Sequence, residues 1–145
     1  MNSPQKAYIL DASVLIEVLA GSDIVKDLVN SIITGSIDAY ATRLGLTEAL
    51  YVTCRLWGSE KALERMQILI DSRTLTIIED EKIWEHAAKC KCQIPISLGG
   101  CYTLAAAKKY GLSPLFLRAE RELQRNKERI REWLGKEPEY LATML

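Results

Sequence analysis

The stretch AYILDASVLI, residues 7–16, decides the expected fold. Its first four residues are apolar and lead into Asp11, a pattern typical of a short buried strand. From Ala12 the apolar spacing becomes helical, and this helix is expected to stop near Gly21. A buried strand followed at once by a helix is typical of an α/β domain, with Asp11 at the carboxyl end of the first strand.

The rest of the chain repeats this alternation. Further strands are predicted at residues 38–43, 74–78 and 114–118, and further helices at 22–33, 46–57, 59–70, 80–92 and 97–110. Strands separated by helices imply a three-layer α/β/α fold with a central parallel sheet of four or five strands. We expect a single domain over residues 1–145, with a charged helical C-terminal extension from about residue 126.

Composition limits the function classes. The 145 residues are 48% hydrophobic and 26% charged, as in ordinary globular proteins. No apolar run is long enough for a membrane span, and no signal-peptide pattern precedes Tyr8, so we expect a cytoplasmic protein. The formal net charge of zero argues against a simple electrostatic nucleic-acid binder but leaves room for a local basic patch.

The four cysteines do not form a recognisable framework. Cys54 and Cys101 lie in apolar helical contexts and are expected to be small core residues. Cys90 and Cys92 have only His86 close to them in sequence, which is too few ligands for a structural zinc site. We therefore interpret Cys90 and Cys92 as thiols on a helix surface and expect no disulfide in a reducing compartment.

Acidic residues follow two of the predicted strands. Asp11 closes the first strand, and Glu120 follows the strand at 114–118. Because ligands of parallel sheets bind beyond the carboxyl ends of the strands, both side chains could face one crevice. Structural explanations remain open, since Asp11 could simply cap the next helix and Glu120 could belong to a solvated charged surface.

Four motifs in order resemble the PIN domain family, the fold of VapC-type toxin ribonucleases. YILDASVLI at 8–16 resembles its opening, TEAL at 47–50 its second acidic motif, and LRAE at 117–120 its last. SLGGC at 97–101, running into three alanines and Gly111, resembles the Ser-x-x-Asp motif that opens a helix in this family. The resemblance covers residues 7 to about 125.

The resemblance implies a Mg²⁺- or Mn²⁺-dependent endoribonuclease of toxin–antitoxin type. It implies that Asp11, Glu48 and Glu120 are the catalytic and metal-binding acids, although Glu48 could also be a first-turn residue that favours the helix dipole. It also implies RNA as substrate, an antitoxin protein as partner and a homodimer, without a membrane. The candidate substrate contacts are Ser13, Ser97, Arg118 and Arg121.

Gly100 departs from the family pattern because it stands where the family has its third acid. An aspartate there would follow the Ser97 cap by three residues, a favourable place near a helix N-terminus. Three explanations are open: the site has decayed, the residue was changed, or a backbone group must approach closely there. We therefore expect weakened or lost ribonuclease activity, and the alternative is a non-catalytic PIN-like module that binds RNA or a protein.

The segment from Arg118 to Lys136 carries seven basic and four acidic residues. Such a segment can be a solvated helix with paired charges along its surface. It can also be a strip that follows an RNA backbone into the acidic crevice. The sequence favours the solvated helix slightly.

Overall fold

A five-stranded, entirely parallel sheet forms the centre of the protein in the computed structural model, which describes residues 5–142. The strands are β1 (Lys6–Leu10), β2 (Ile37–Thr42), β3 (Leu75–Ile78), β4 (Ser113–Phe116) and β5 (Glu139–Tyr140). They lie in the order β3-β2-β1-β4-β5, so β1 is the central strand. β2 and β3 are added on one side of β1, and β4 and β5 on the other side. The carboxyl ends of β1 and β4 therefore lie beside each other.

Within residues 5–142, eight α-helices cover the two faces of the sheet. They are α1 (Ala12–Ala20), α2 (Lys26–Ile33), α3 (Arg43–Trp57), α4 (Ser59–Asp71), α5 (Trp84–Gln93), α6 (Leu98–Tyr110), α7 (Arg121–Arg125) and α8 (Lys127–Leu134). Short 3₁₀ helices at Asp23–Val25 and Asp80–Lys82 precede α2 and α5. The three-layer α/β/α fold predicted from the sequence is therefore confirmed, with five strands.

Two hydrophobic cores lie on opposite faces of the sheet. Successive residues of β1 point to different cores, because strand side chains alternate between faces. Ile9 packs with α5, α6 and α8, whereas Tyr8 and Leu10 pack with α1 to α4. This double burial explains why the first strand is a continuous apolar run.

The C-terminal segment packs into the domain. Ile130 and Leu134 of α8 are buried in the same core as Ile9. After β5, the backbone N–H of Leu141 donates to the carbonyl of Phe116 at 2.9 Å, so the last described residues continue to pair beside β4. No helix within residues 5–142 is long and apolar enough to cross a membrane.

Several local expectations are wrong. The apolar spacing of residues 59–70 and 80–92 predicts that Leu63 and Trp84 face inward. They are 55% and 54% exposed, because α4 and α5 bury only narrower stripes around Ala62 and Ala87. Cys90, expected on the surface, is fully buried in α5. Cys90 faces Cys101 of α6, and contact with that thiol together with burial raises the pKa of Cys90, so it is an inert core thiol.

Candidate active site at the end of the central strand

Asp11 is held by two helices at the carboxyl end of β1. Its Oδ2 accepts hydrogen bonds from the backbone N–H of Ser13 at 3.1 Å and from Ser13 Oγ at 2.8 Å, so Asp11 is the N-cap of α1. Its Oδ1 accepts from Thr103 Oγ1 of α6 at 2.9 Å. The capping and functional interpretations of Asp11 are thus compatible, since the cap fixes the carboxylate at the sheet edge.

Ser13 links this carboxylate to the neighbouring strand. While its hydroxyl donates to Asp11, its Oγ accepts from the backbone N–H of Leu117 at 3.1 Å, just after β4. Because donor and acceptor are both satisfied, Ser13 has a defined orientation. Its hydroxyl is therefore part of the Asp11 support.

Glu48 lies in the second turn of α3, against the start of α6. A Cβ atom placed on Gly99 would lie 1.8 Å from Glu48 Oε1, so the carboxylate occupies the space that any larger residue would need. Thr103 Oγ1 also lies 3.1 Å from the carbonyl oxygen of Gly99. Gly99 and Thr103 therefore connect Glu48 with Asp11, and close approach explains this glycine.

The surroundings of Glu48 disfavour its negative charge. Burial, and secondly the negative charge of Asp11, raise the pKa of Glu48 above its ordinary value of 4.5. Both causes disfavour the ionised form of a carboxyl group. A partly buried carboxyl group whose charge is disfavoured by a neighbouring carboxylate is an arrangement that a cation would stabilise.

Gly100 has a different environment from Gly99. Its backbone N–H donates to Ser97 Oγ at 3.1 Å, which confirms Ser97 as the cap of α6. A Cβ on Gly100 would meet Ser97 Oγ at 3.1 Å and Ile96 Cδ1 at 3.2 Å, contacts that need shifts of a few tenths of an ångström. Close approach of Glu48 therefore accounts for Gly99 but does not account for Gly100.

Sequence reasoning missed Glu122 and Thr103. The backbone N–H of Ser97 donates to Glu122 Oε1 at 3.1 Å. In a capping box this bond would go to the side chain at the third helical position, which here is Gly100. Glu122 of α7 therefore supplies the carboxylate that Gly100 lacks for capping. The only indication of this role in the sequence was that Glu122 is an acidic residue in the first turn of a helix, α7.

The remaining candidates lie apart from the Asp11–Glu48 pair. Glu120 is exposed at the start of α7 and makes no capping bond with its side chain. Arg118 and Arg121 are exposed on either side of it. Within the described part of the chain, no three His, Cys, Asp or Glu residues form a group that could hold a metal ion. Asp11 and Glu48 are brought together, and Glu120 does not join them.

The donor set nevertheless fits a hard divalent cation bound weakly. Mg²⁺ prefers oxygen ligands and is commonly held by one or two carboxylates, with water and substrate phosphates completing its coordination. Asp11 and Glu48 supply two carboxylates. They would hold the ion.

Comparisons with solved structures show that the fold is shared with other proteins. Similar folds are found in a toxin–antitoxin complex from Klebsiella pneumoniae (14% identity over 78% of this chain and 88% of that one, TM-score 0.57). VapBC2 from Rickettsia felis, bound to a promoter DNA fragment, has a similar fold at 13% identity over 82% of this chain and 92% of that one, with a TM-score of 0.65. PAE2754 from Pyrobaculum aerophilum has a similar fold at 15% identity over 93% of this chain and 100% of that one, with a TM-score of 0.58.

No curated protein sequence matches significantly. The family model of the PIN domain, however, matches residues 8–136, which include Asp11, Glu48 and the start of α6. The motifs from which the resemblance was drawn lie within this match. The chain therefore belongs to the PIN domain family.

Proposed function

We propose that this protein is a cytoplasmic PIN-type endoribonuclease, the toxin of a toxin–antitoxin pair, with Mg²⁺- or Mn²⁺-dependent activity that is weakened by Gly100. The observation that carries the proposal is the Asp11–Glu48 pair at the end of β1, joined through Thr103 and Gly99. A divalent ion there would neutralise charge on the phosphodiester and lower the pKa of the attacking water. Asp11 and Glu48 would hold the ion, and Ser13 and Thr103 would orient Asp11.

The other candidate residues have smaller proposed roles. Glu120, exposed at the start of α7, would approach the phosphodiester only with substrate bound. Ser97 fixes the first turn of α6 and would contact RNA as a secondary role. Arg118 and Arg121 are free to contact backbone phosphates, because exposed guanidinium groups bind phosphate oxygens well.

A protein partner is supported by an apolar groove of about 310 Å³ between α1, α2 and α4. Ile33 and Ile68 at this groove are 66% and 61% exposed, unusually high for isoleucine. The relatives from Klebsiella and Rickettsia were solved as toxin–antitoxin assemblies. We infer that an amphipathic helix of an antitoxin binds this groove. Ile68→Glu should then abolish antitoxin binding, whereas Glu64→Gln on the same helix should preserve it.

Thermal melts with and without millimolar Mn²⁺, together with cleavage of a labelled single-stranded RNA, test the nuclease proposal. One ion at ten times its Kd adds about 1.4 kcal/mol to the free energy of unfolding. We expect stabilisation and slow cleavage in the parent and neither in Asp11→Asn. Equal Mn²⁺ shifts in both proteins would contradict a site at Asp11, and the non-catalytic binding module would then be the better assignment.

A further inference from the structure

A second concave surface lies on the α5–α8 side of the protein, away from the acid pair. We call it the basic groove. Its volume is about 650 Å³, and its charged members are Lys89, Lys108, Arg129 and Glu132, beside His86 and Trp133. Lys108 stands nine residues beyond Gly99 on α6, which corresponds to about 14 Å along the helix. The groove is therefore distinct from the candidate active site.

The charge of this groove differs from that of the whole chain. Three permanent cations face one carboxylate there, although the formal net charge of the protein is zero. Among the residues that the structure describes, Lys89 and Arg129 form no ion pair, and neither does Glu132. Cations held in a concave surface without internal partners attract anions, because the field of each adds to that of the others.

One of these cations has a fixed position. Lys108 Nζ donates to the carbonyl oxygen of Trp133 at 2.8 Å and lies 4.3 Å from the centre of the Trp133 ring. This arrangement places an ordered ammonium group and a half-buried aromatic ring at the same point of the groove. The half-buried ring of His86, on α5, also lines the groove.

We propose that the basic groove binds the backbone of single-stranded RNA, with Lys89, Lys108 and Arg129 contacting phosphates and with His86 and Trp133 contacting bases. Cations interleaved with aromatic rings are the surface that binds single strands without base-specific hydrogen bonds. An acidic peptide would need only the cations, whereas the two rings provide surfaces on which bases can stack. The choice of RNA rests on the proposed ribonuclease function, and the groove would hold the strand beyond the cleavage site.

The test is fluorescence anisotropy with a labelled oligouridylate of about ten nucleotides, a length within the range bound by single-strand grooves. Excess EDTA is present throughout, so that the outcome does not depend on metal binding or cleavage. Lys89→Gln with Arg129→Gln should weaken binding several-fold and reduce the slope of log affinity against log salt by about 1.4, since each single-strand phosphate contact contributes about 0.7. Glu132→Gln should strengthen binding.

The matched control is Lys26→Gln with Lys61→Gln, which removes two positive charges from α2 and α4 on the other face of the sheet. We expect this control to bind like the parent protein. Equal weakening in both double variants, or no RNA binding by the parent, would overturn the basic groove. Displacement of the RNA by polyglutamate at equal charge concentration would also overturn it in favour of an acidic protein ligand. RNA cleavage that persists with unaltered binding in the groove variants would leave the proposed function intact and reject only this inference.

Discussion

At the level of single residues, two adjacent glycines in the first turn of α6 meet different surroundings. Gly99 gives space to the Glu48 carboxylate, whereas Gly100 faces the Ser97 hydroxyl and Ile96. Glu122 accepts the Ser97 N–H bond that an acidic residue at position 100 could otherwise accept. An acid at position 100 would therefore compete with Glu122 for the Ser97 N–H, and only Gly99 of the two glycines contacts Glu48 directly.

Glu48 should make the stability of the protein depend on pH. Its pKa in the folded state is raised above the ordinary value of 4.5, which applies in the unfolded state. At pH values between the unfolded-state pKa and the folded-state pKa, the folded state therefore binds more protons than the unfolded state. The free energy of unfolding should therefore fall as pH rises through this window, and Glu48→Gln should remove that fall. Urea titrations across a pH series would measure it. Parallel curves for parent and variant would contradict the prediction, and exposed Glu60→Gln is the control.

Gly100→Asp should increase Mn²⁺-dependent cleavage of single-stranded RNA at least about tenfold, equivalent to about 1.4 kcal/mol of transition-state stabilisation. The reason is that it restores a carboxylate where the motif resembled by residues 97–101 has its acid, at a helical position without a positive φ angle. Gly100→Ala adds the same Cβ without the charge and should not increase cleavage.

The double variant with Asp11→Asn should lose the gain, which controls for contaminating nuclease. If Gly100→Asp is folded but neither binds Mn²⁺ more tightly nor cleaves RNA faster, the interpretation of position 100 as the missing acid is wrong.

At the level of elements, the alternation of strands and helices was predictable, because the spacing of apolar residues that distinguishes a strand from a helix can be read from neighbouring residues in the sequence. The ends of elements were less predictable, because caps and packing set them. Helix α3 begins at Arg43 rather than Leu46, since Thr42 Oγ1 accepts from the Gly45 N–H at 2.8 Å and stabilises an earlier turn. Thr103 and Glu122 join the site only through the packing of α6 and α7, which no local pattern reveals.

The contact between α3 and α6 predicts opposite outcomes for the two glycines. Gly99→Ala should displace the Glu48 carboxylate and reduce the Mn²⁺-induced thermal shift, because the new Cβ would overlap Oε1. Without metal, its melting temperature should not fall, since alanine favours a helix by up to about 1 kcal/mol over glycine. Gly100→Ala is the matched control and should keep the shift. Equal Mn²⁺ shifts in both variants would show that the position of Glu48 does not matter for the ion.

At the level of the whole molecule, the two faces of the sheet present different surfaces. The α1–α4 face carries the apolar groove and several exposed apolar side chains, whereas the α5–α8 face carries the basic groove. The sequence indicated a charged C-terminal helix but did not show which of its cations would face α5. Which cations face α5 depends on how α8 packs beside α6. This packing includes the contact of Lys108 with Trp133, which are far apart in the sequence.

We expect the protein to form a homodimer with a two-fold axis, the commonest symmetry of soluble assemblies. Leu56 at the end of α3 is 66% exposed and Leu63 in α4 is 55% exposed, so both would gain by burial against a second copy. Light scattering should give twice the chain mass of 16.3 kDa. Leu56→Glu with Leu63→Glu should give the single-chain mass with an unchanged circular dichroism spectrum, because charges in an apolar interface oppose pairing.

Ile68→Glu is the control for this dimer prediction. It places the same charge on α4, but at the proposed antitoxin groove, and should leave the dimer mass unchanged. A single-chain mass for the parent protein at micromolar concentration would contradict the dimer. A dimer that survives the Leu56 and Leu63 changes but not Ile68→Glu would instead place the two-fold interface at the groove, and that surface could not then bind an antitoxin in the same state.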